Sequence, residues 1–235
     1  MHTPLSYRPG HSPATATALR TGVVSASLSA VLLILVAVRW SPLMSLDRTV
    51  AEALHRRAVT EPGLVHANRV LTDWVWDPWT MRALVAVVVI ALWWRGFRLL
   101  AGWVAATSLF STLVQQGLKS AVGRERPEWP DPVDSANYAA FPSGHVMTAV
   151  VSCGLFLWLL RLFGAGPRLW WGAYVVAGVS VAGVGFTRIY LGVHWLTDVL
   201  GGVLLGVAAV AFSVVGYAAW AARRTSGAVG LPRSG

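Results

Sequence analysis

The chain has 235 residues, of which 55% are apolar and 12% charged, and its mean hydropathy is +0.58; an ordinary soluble domain is about 25% charged. A soluble domain of this size cannot hide several continuous apolar runs, so the composition excludes a soluble globular enzyme and specifies a membrane protein whose first partner is the lipid bilayer. The net charge of +9 would suit nucleic acid, but the Lys and Arg residues form no block and sit at the ends of apolar segments, which excludes that partner class.

In chain order, residues 1–17 are polar and rich in Pro, Ser and Thr, the composition of a disordered tail. A first span is predicted over residues 21–38. It ends in Val38-Arg39-Trp40-Ser41-Pro42 without a small-residue cleavage site, which favours an uncleaved helix over a signal peptide. Leu43, Leu46, Val50, Leu54 and Val59 then recur at near-helical spacing among Asp47, Arg48, Glu52, Arg56 and Arg57, predicting an amphipathic helix lying in the interface. Trp74, Trp76 and Trp79 follow and read as a headgroup belt. Further spans are predicted over 79–94, with Arg82 snorkelling, and over 97–122, 143–163, 169–186 and 194–222. The single Cys153 lies in an apolar run, so an internal disulfide and a cysteine-based metal site are excluded. The fold class expected is therefore all-α: a six-transmembrane-helix bundle with an interfacial amphipathic helix between helices one and two. Its organisation would be a tail over 1–17, one membrane domain over 18–222 and a C-terminal tail over 223–235.

Six spans place both termini on one side. Arg8, Arg20, Arg95, Arg98, Arg161, Arg168, Arg223, Arg224 and Arg233 fall on that side with no acidic residue among them, while all ten Asp and Glu fall on the other. The positive-inside rule then predicts cytoplasmic termini in a cytoplasmic membrane. Three polar segments share the opposite face. Lys119 ends the third span, and Arg126 lies beyond Gly123 and before Pro127, where the chain must leave the helix. Taken alone, such cations read equally as snorkelling groups at a helix end. Pro142-Ser143-Gly144-His145 opens the fourth span, where a helix N-terminus offers N–H groups to an anion and Gly144 permits close approach; taken alone, this reads equally as a plain cap. Arg188 precedes His194 and Asp198, which are four apart at the predicted start of helix six and so share a face. A carboxylate that bonds one imidazole nitrogen leaves the other free to attack.

These three segments resemble the signature of the type 2 phosphatidic acid phosphatase (PAP2) family, KxxxxxxRP, PSGH and SRxxxxxHxxxD. Lys119, Arg126 and Pro127 match the first, residues 142–145 the second, and Arg188, His194 and Asp198 the third, with Thr187 standing where the pattern has Ser. The resemblance covers about residues 43–222. It implies that Lys119, Arg126, Arg188, Ser143 and Gly144 hold a phosphate, that His194 is the nucleophile through a phosphohistidine, that Asp198 orients it and that His145 protonates the leaving group. It implies no cofactor and no metal. Vanadium-dependent haloperoxidases share the pattern but are soluble, so the spans favour a lipid phosphatase acting at the outer membrane face.

The lipid is open between a polyprenyl (di)phosphate, phosphatidylglycerophosphate and phosphatidic acid. Residue usage like that of a high-GC bacterium leans to the first. A protein that binds or moves a phosphorylated lipid without hydrolysing it is the reading of another class, although such a protein has no use for a His–Asp pair and a second His. Oligomeric state is not legible.

Overall fold

The computed structural model describes residues 13–229, with side chains described to residue 224. Within them the chain is helical and no strand occurs: α1 (Pro13–Ala37), α2 (Ser41–Thr60), α3 (Pro62–Val70), a π-helical turn (Leu71–Val75), α4 (Pro78–Trp94), α5 (Arg98–Val122), α6 (Gly144–Leu162), α7 (Pro167–Tyr190) and α8 (Leu196–Val229). Residues 13–17 already belong to α1, so the expected tail is shorter than residue 17; residues 1–12 lie outside the described part. Likewise α8 runs past residue 222 to 229, so the start of the expected C-terminal tail is helical.

Five segments are long and apolar enough to cross a membrane: Pro13–Ala37, Pro62–Trp94, Gly144–Leu162, Pro167–Tyr190 and Leu196–Arg224. This is one fewer than expected. The helix not among them is α5, which is 25 residues long but carries Thr107, Ser111, Gln115 and Lys119 four residues apart, all buried. A helix whose inner stripe is polar loses mean hydropathy although its outer face stays apolar, with Leu109, Phe110 and Leu113 exposed. The predicted short span at 79–94 is the second half of a run that begins at Pro62, broken by the π-helical turn.

Lipid is as apolar as a leucine side chain, so helices in a bilayer associate through close packing at small residues rather than through the hydrophobic effect. The buried positions of α1 are mostly small, Gly22, Ser25, Ser29 and Val36, while Val23, Val24, Leu28, Val31 and Ile34 are exposed. A Cβ on Gly22 would lie 3.0 Å from the Phe212 ring, so the glycine lets α1 close on α8. A helix is present where the amphipathic one was expected, α2, with Asp47, Ala51, His55 and Ala58 forming its buried stripe. Trp74 and Trp79 are exposed as a headgroup belt requires, but Trp76 is not part of it. Trp76 is buried in the core formed with Met81, Val146, Val184 and Ile189, because Gly183 of α7 leaves room for its ring. Arg82 lies with its guanidinium 5.5 Å above the Trp79 ring, directed back toward the start of α4. A second core joins α4, α5 and α6 through Val85, Leu92, Val104, Val151, Leu155 and Leu159. The two cores hold the helix ends that carry the polar motifs at one end of the bundle.

Candidate active site

The end of α5 is set by Gly123, whose φ of 57° is left-handed and whose N–H caps the Lys119 carbonyl at 3.0 Å. The chain then leaves the helix as a long loop, residues 123–142, that folds back over its own cations. Lys119 Nζ donates to the Ala139 carbonyl. Arg126 donates from Nε to the Tyr138 carbonyl at 2.8 Å, from Nη2 to the Asn137 carbonyl at 3.2 Å, and from Nη1 to the Val193 carbonyl. Tyr138 takes a left-handed φ of 71°, uncommon for a residue with a side chain, which turns consecutive carbonyls toward the two cations. The loop is anchored on its outer side as well: Trp129 Nε1 donates to the Gly192 carbonyl at 2.9 Å and its ring stacks on His55 with centroids 4.0 Å apart.

Ser143 is the N-cap of α6, but its hydroxyl caps nothing. Its Oγ is buried and has no hydrogen-bond partner, while its amide donates to the Asp198 carbonyl at 3.0 Å. That bond ties the start of α6 to the start of α8, and it is possible because Gly202 lies opposite: a Cβ there would sit 2.9 Å from the Ser143 carbonyl oxygen. Gly144 leaves room for the Gln115 amide: a Cβ on it would lie 2.8 Å from Gln115 Nε2, so that side chain would have to shift. His145 follows in the first turn, within electrostatic reach of Arg188, His194, Arg126 and Lys119.

His194 is not in helix six as expected. It lies in the turn between α7 and α8, and the helix begins at Leu196 with Asp198 in its first turn. The turn is made by Gly192 at a φ of 70°. Asp198 Oδ2 accepts from the Trp195 amide at 2.8 Å, in the manner of a capping box, and meets His194 Nδ1 at 3.2 Å. The expected pair is therefore formed across a capped turn rather than along a helix face. On the other side of the ring, Arg126 Nη1 lies 3.2 Å from His194 Nε2. Guanidinium only donates and carboxylate only accepts, so the network assigns the proton to Nδ1 and a lone pair to Nε2. Burial, then Arg126, Arg188, Lys119 and Arg124, hold the imidazole well below its ordinary pKa and hence neutral. Burial also lowers the pKa of Arg126, with Asp198 opposing, but a guanidinium stays charged in any accessible pH range.

Arg188 is buried in the last turn of α7. Its Nη1 donates to Thr72 Oγ1 at 3.2 Å and its Nε has no partner. Thr72 is presented by the π-helical turn, a distortion that often marks functional sites. Thr187 donates its hydroxyl to the Val184 carbonyl of its own helix at 2.8 Å.

All eight residues singled out in the sequence, Lys119, Arg126, Ser143, Gly144, His145, Arg188, His194 and Asp198, are thus at one end of the bundle, drawn from four helices and two connections. Ser143 Oγ and Arg188 Nε are buried and unpartnered, at the same end as the α6 N-terminus, Lys119 and Arg126; these are donor types that suit an oxyanion. Two residues escaped the sequence reading. Arg124 donates from Nη1 to Asp198 Oδ1 at 2.6 Å and from Nη2 to Asp47 Oδ2 at 2.6 Å. Asp47, 1% exposed, comes from α2. Arg124 is not a fixed residue of any of the three motifs and Asp47 is spaced with the polar residues of its segment; only the fold puts Asp47 on the buried stripe of α2 with Ala51, His55 and Ala58.

Comparison with known proteins places these features in a family. The PAP2 superfamily model matches residues 100–222, slightly more than half of the chain. The chain is 35% identical over 99 residues to phosphatidylglycerophosphatase B of Bacillus subtilis, 28% identical over 127 residues to lipid phosphate phosphatase delta of Arabidopsis thaliana, and 36% identical over 77 residues to undecaprenyl-diphosphatase of Sulfolobus acidocaldarius. These stretches take up 40%, 49% and 33% of this chain and 47%, 30% and 31% of the relatives, so the chain spans less than half the length of each. Its fold is similar to the crystal structure of a transmembrane PAP2 type phosphatidylglycerolphosphate phosphatase from Bacillus subtilis, with a TM-score of 0.67 at 23% identity over 84% of this chain and 95% of that one.

Proposed function

The chain belongs to the PAP2 superfamily, and from that premise we propose that this multi-pass membrane protein is a lipid phosphatase, hydrolysing a lipid phosphate or diphosphate through a phosphohistidine. The observation that carries this reading is the pair of contacts on the His194 ring, Nδ1 at 3.2 Å from Asp198 Oδ2 and Nε2 at 3.2 Å from Arg126 Nη1, which together assign the proton to Nδ1 and the lone pair to Nε2. Lys119, Arg126 and Arg188, with the Ser143 hydroxyl and the first amides of α6, hold the phosphate. Charge and position supply most of what phosphoryl transfer needs.

In the first step Nε2 attacks phosphorus, the bond from phosphorus to the lipid oxygen breaks, and His145 gives that oxygen a proton. The dianion that offsets the three cations also lets His145 carry the proton it gives. In the second step water attacks the phosphohistidine, His145 takes the water's proton back, and phosphate leaves with His194 neutral again. Nδ1 keeps its proton throughout, donated to Asp198.

The substrate classes are a polyprenyl (di)phosphate, phosphatidylglycerophosphate and phosphatidic acid; residue usage leans to the first, and the names of the relatives include both a glycerophospholipid phosphatase and an undecaprenyl-diphosphatase. Purified protein in detergent, assayed with EDTA against all three, is expected to release phosphate from at least one. No turnover of any, or loss on chelation, overturns the reading. The arginine distribution supports cytoplasmic termini and a site at the outer face of the cytoplasmic membrane. Reporter fusions at residues 95–98 and in the 128–136 loop are expected to report cytoplasm and exterior respectively, and the reverse would move the site to the cytosol.

A further inference from the structure

We infer that Arg124 and Asp47 are positioning residues for the nucleophile, through which α2 holds the His194–Asp198 pair; this rests on the reading of His194 as nucleophile. The geometry is a closed circuit. Arg124 Nη1 donates both to Asp198 Oδ1 and to Thr197 Oγ1 at 2.6 Å, Nη2 donates to Asp47 Oδ2 at 2.6 Å, the Thr197 hydroxyl donates to the same Asp47 oxygen at 2.6 Å, and the Thr197 amide donates to Asp47 Oδ1 at 2.9 Å. Asp47 therefore caps the α8 N-terminus from another helix while orienting the fork of Arg124. Both Asp198 oxygens are then committed: Oδ1 to Arg124, Oδ2 to the Trp195 amide and His194.

Asp47 and Asp198 are 1% and 0% exposed, and buried charges are costly unless every group is matched. The matching here goes beyond what joining α2 to α8 requires, because the shared guanidinium ends on the carboxylate that orients the imidazole. If Asp198 lost its Oδ1 partner it would be free to rotate about its side chain, and the His194 ring with it. A misplacement of about 1 Å at such a site costs on the order of 100-fold in rate.

The charges facing His194 are Asp198 from α8, Arg126 and Arg124 from the loop, Arg188 from α7, Lys119 from α5 and His145 from α6. Removing the positive charge in Arg124→Gln favours the imidazolium and moves the His194 titration to higher pH. Removing the negative charge in Asp47→Asn leaves Arg124 opposed by Asp198 alone and moves it to lower pH. Thr197→Val breaks the circuit without changing charge and moves it little. Opposite shifts from two variants that break the same circuit are not produced by loss of packing.

The test measures kcat, KM and the acid limb of kcat/KM on whichever lipid phosphate the wild type hydrolyses, together with 15N-histidine titration of the folded protein in detergent, the His194 resonance being assigned with His194→Gln. Expected are kcat losses of about 100-fold for Arg124→Gln and about 10-fold for Asp47→Asn, KM within about threefold, and titrations displaced in opposite directions. Arg124→Lys, which keeps charge but not the fork, is expected to lose rate with little displacement. Unchanged titrations in both charge variants, or rate losses no larger than the loss of folded protein, overturn the inference. Retained turnover in His194→Ala overturns the nucleophile instead, and a wild type that hydrolyses nothing overturns the phosphatase; in either case the histidine titration still decides whether Arg124 and Asp47 act on the His194–Asp198 pair.

Discussion

At the site end of the bundle, Arg124, Arg126 and Arg188 are set against carboxylates, carbonyls and a hydroxyl; at the other end, Arg98, Arg161 and Arg224 are exposed and lie over indoles. Arg124 bridges two carboxylates at 2.6 Å and Arg188 is 4% exposed, whereas Arg98 sits 5.6 Å above Trp93, Arg161 4.0 Å above Trp170 and Arg224 4.6 Å above Trp220. The connections differ in the same sense. The far turns are short and closed by exposed glycines, Gly96 at a φ of 85° and Gly164 at 71°, while the loop at residues 123–142 is pinned by tryptophans, carbonyls and cations from several elements. An arginine in a bilayer protein thus has its role decided by what is opposite it. Facing an aromatic ring at the headgroup level it anchors the helix; facing a desolvated carboxylate it becomes part of a fixed electrostatic frame.

If that division is right, substitutions at the two ends differ by orders of magnitude. The largest effect is expected for His194→Ala, with kcat reduced at least about 10⁴-fold and the fold retained, read as loss of trapped phosphoenzyme alongside unchanged thermal unfolding. Next comes Arg188→Gln, expected to lower kcat on the order of 10²- to 10³-fold, since it removes a charge facing the transferring group; inorganic phosphate inhibition measured in parallel should weaken. Gly202→Ala tests the seam between the two helix starts: its methyl meets the Ser143 carbonyl oxygen at 2.9 Å, so α6 must shift at a cost of about 1–3 kcal/mol and about 10-fold in rate. The smallest effect is expected at the far end. Arg161→Gln should change stability by no more than about 0.5 kcal/mol and kcat by less than about twofold, and a larger kinetic effect would break the contrast.

The sequence carried most of the site and the outline of the fold. Each predicted site residue lies at the expected end because hydropathy marks where a helix enters and leaves the bilayer, and motif spacing places a side chain relative to that boundary. A helix between the first two apolar runs, α2, was legible from the periodicity of its apolar residues. The third expected span is there as the 25-residue α5, but its inward polar stripe of Thr107, Ser111, Gln115 and Lys119 leaves it less apolar than the other five, since an averaged hydropathy cannot tell an inward polar residue from an outward one.

What the chain determined by itself was local: helix, boundary and the polar motifs that gather at one end of the bundle. Tertiary structure decided the partnerships. Trp76 left the headgroup belt for the core because a glycine on α7 made room for it. His194 came to lie off the helix because Gly192 turns the chain before Asp198 caps it. Asp47 and Asp198 became linked because three segments distant in sequence meet at Arg124. Periodicity reports the faces of one helix, but the free energy of a buried charge depends on the group that another element sets against it.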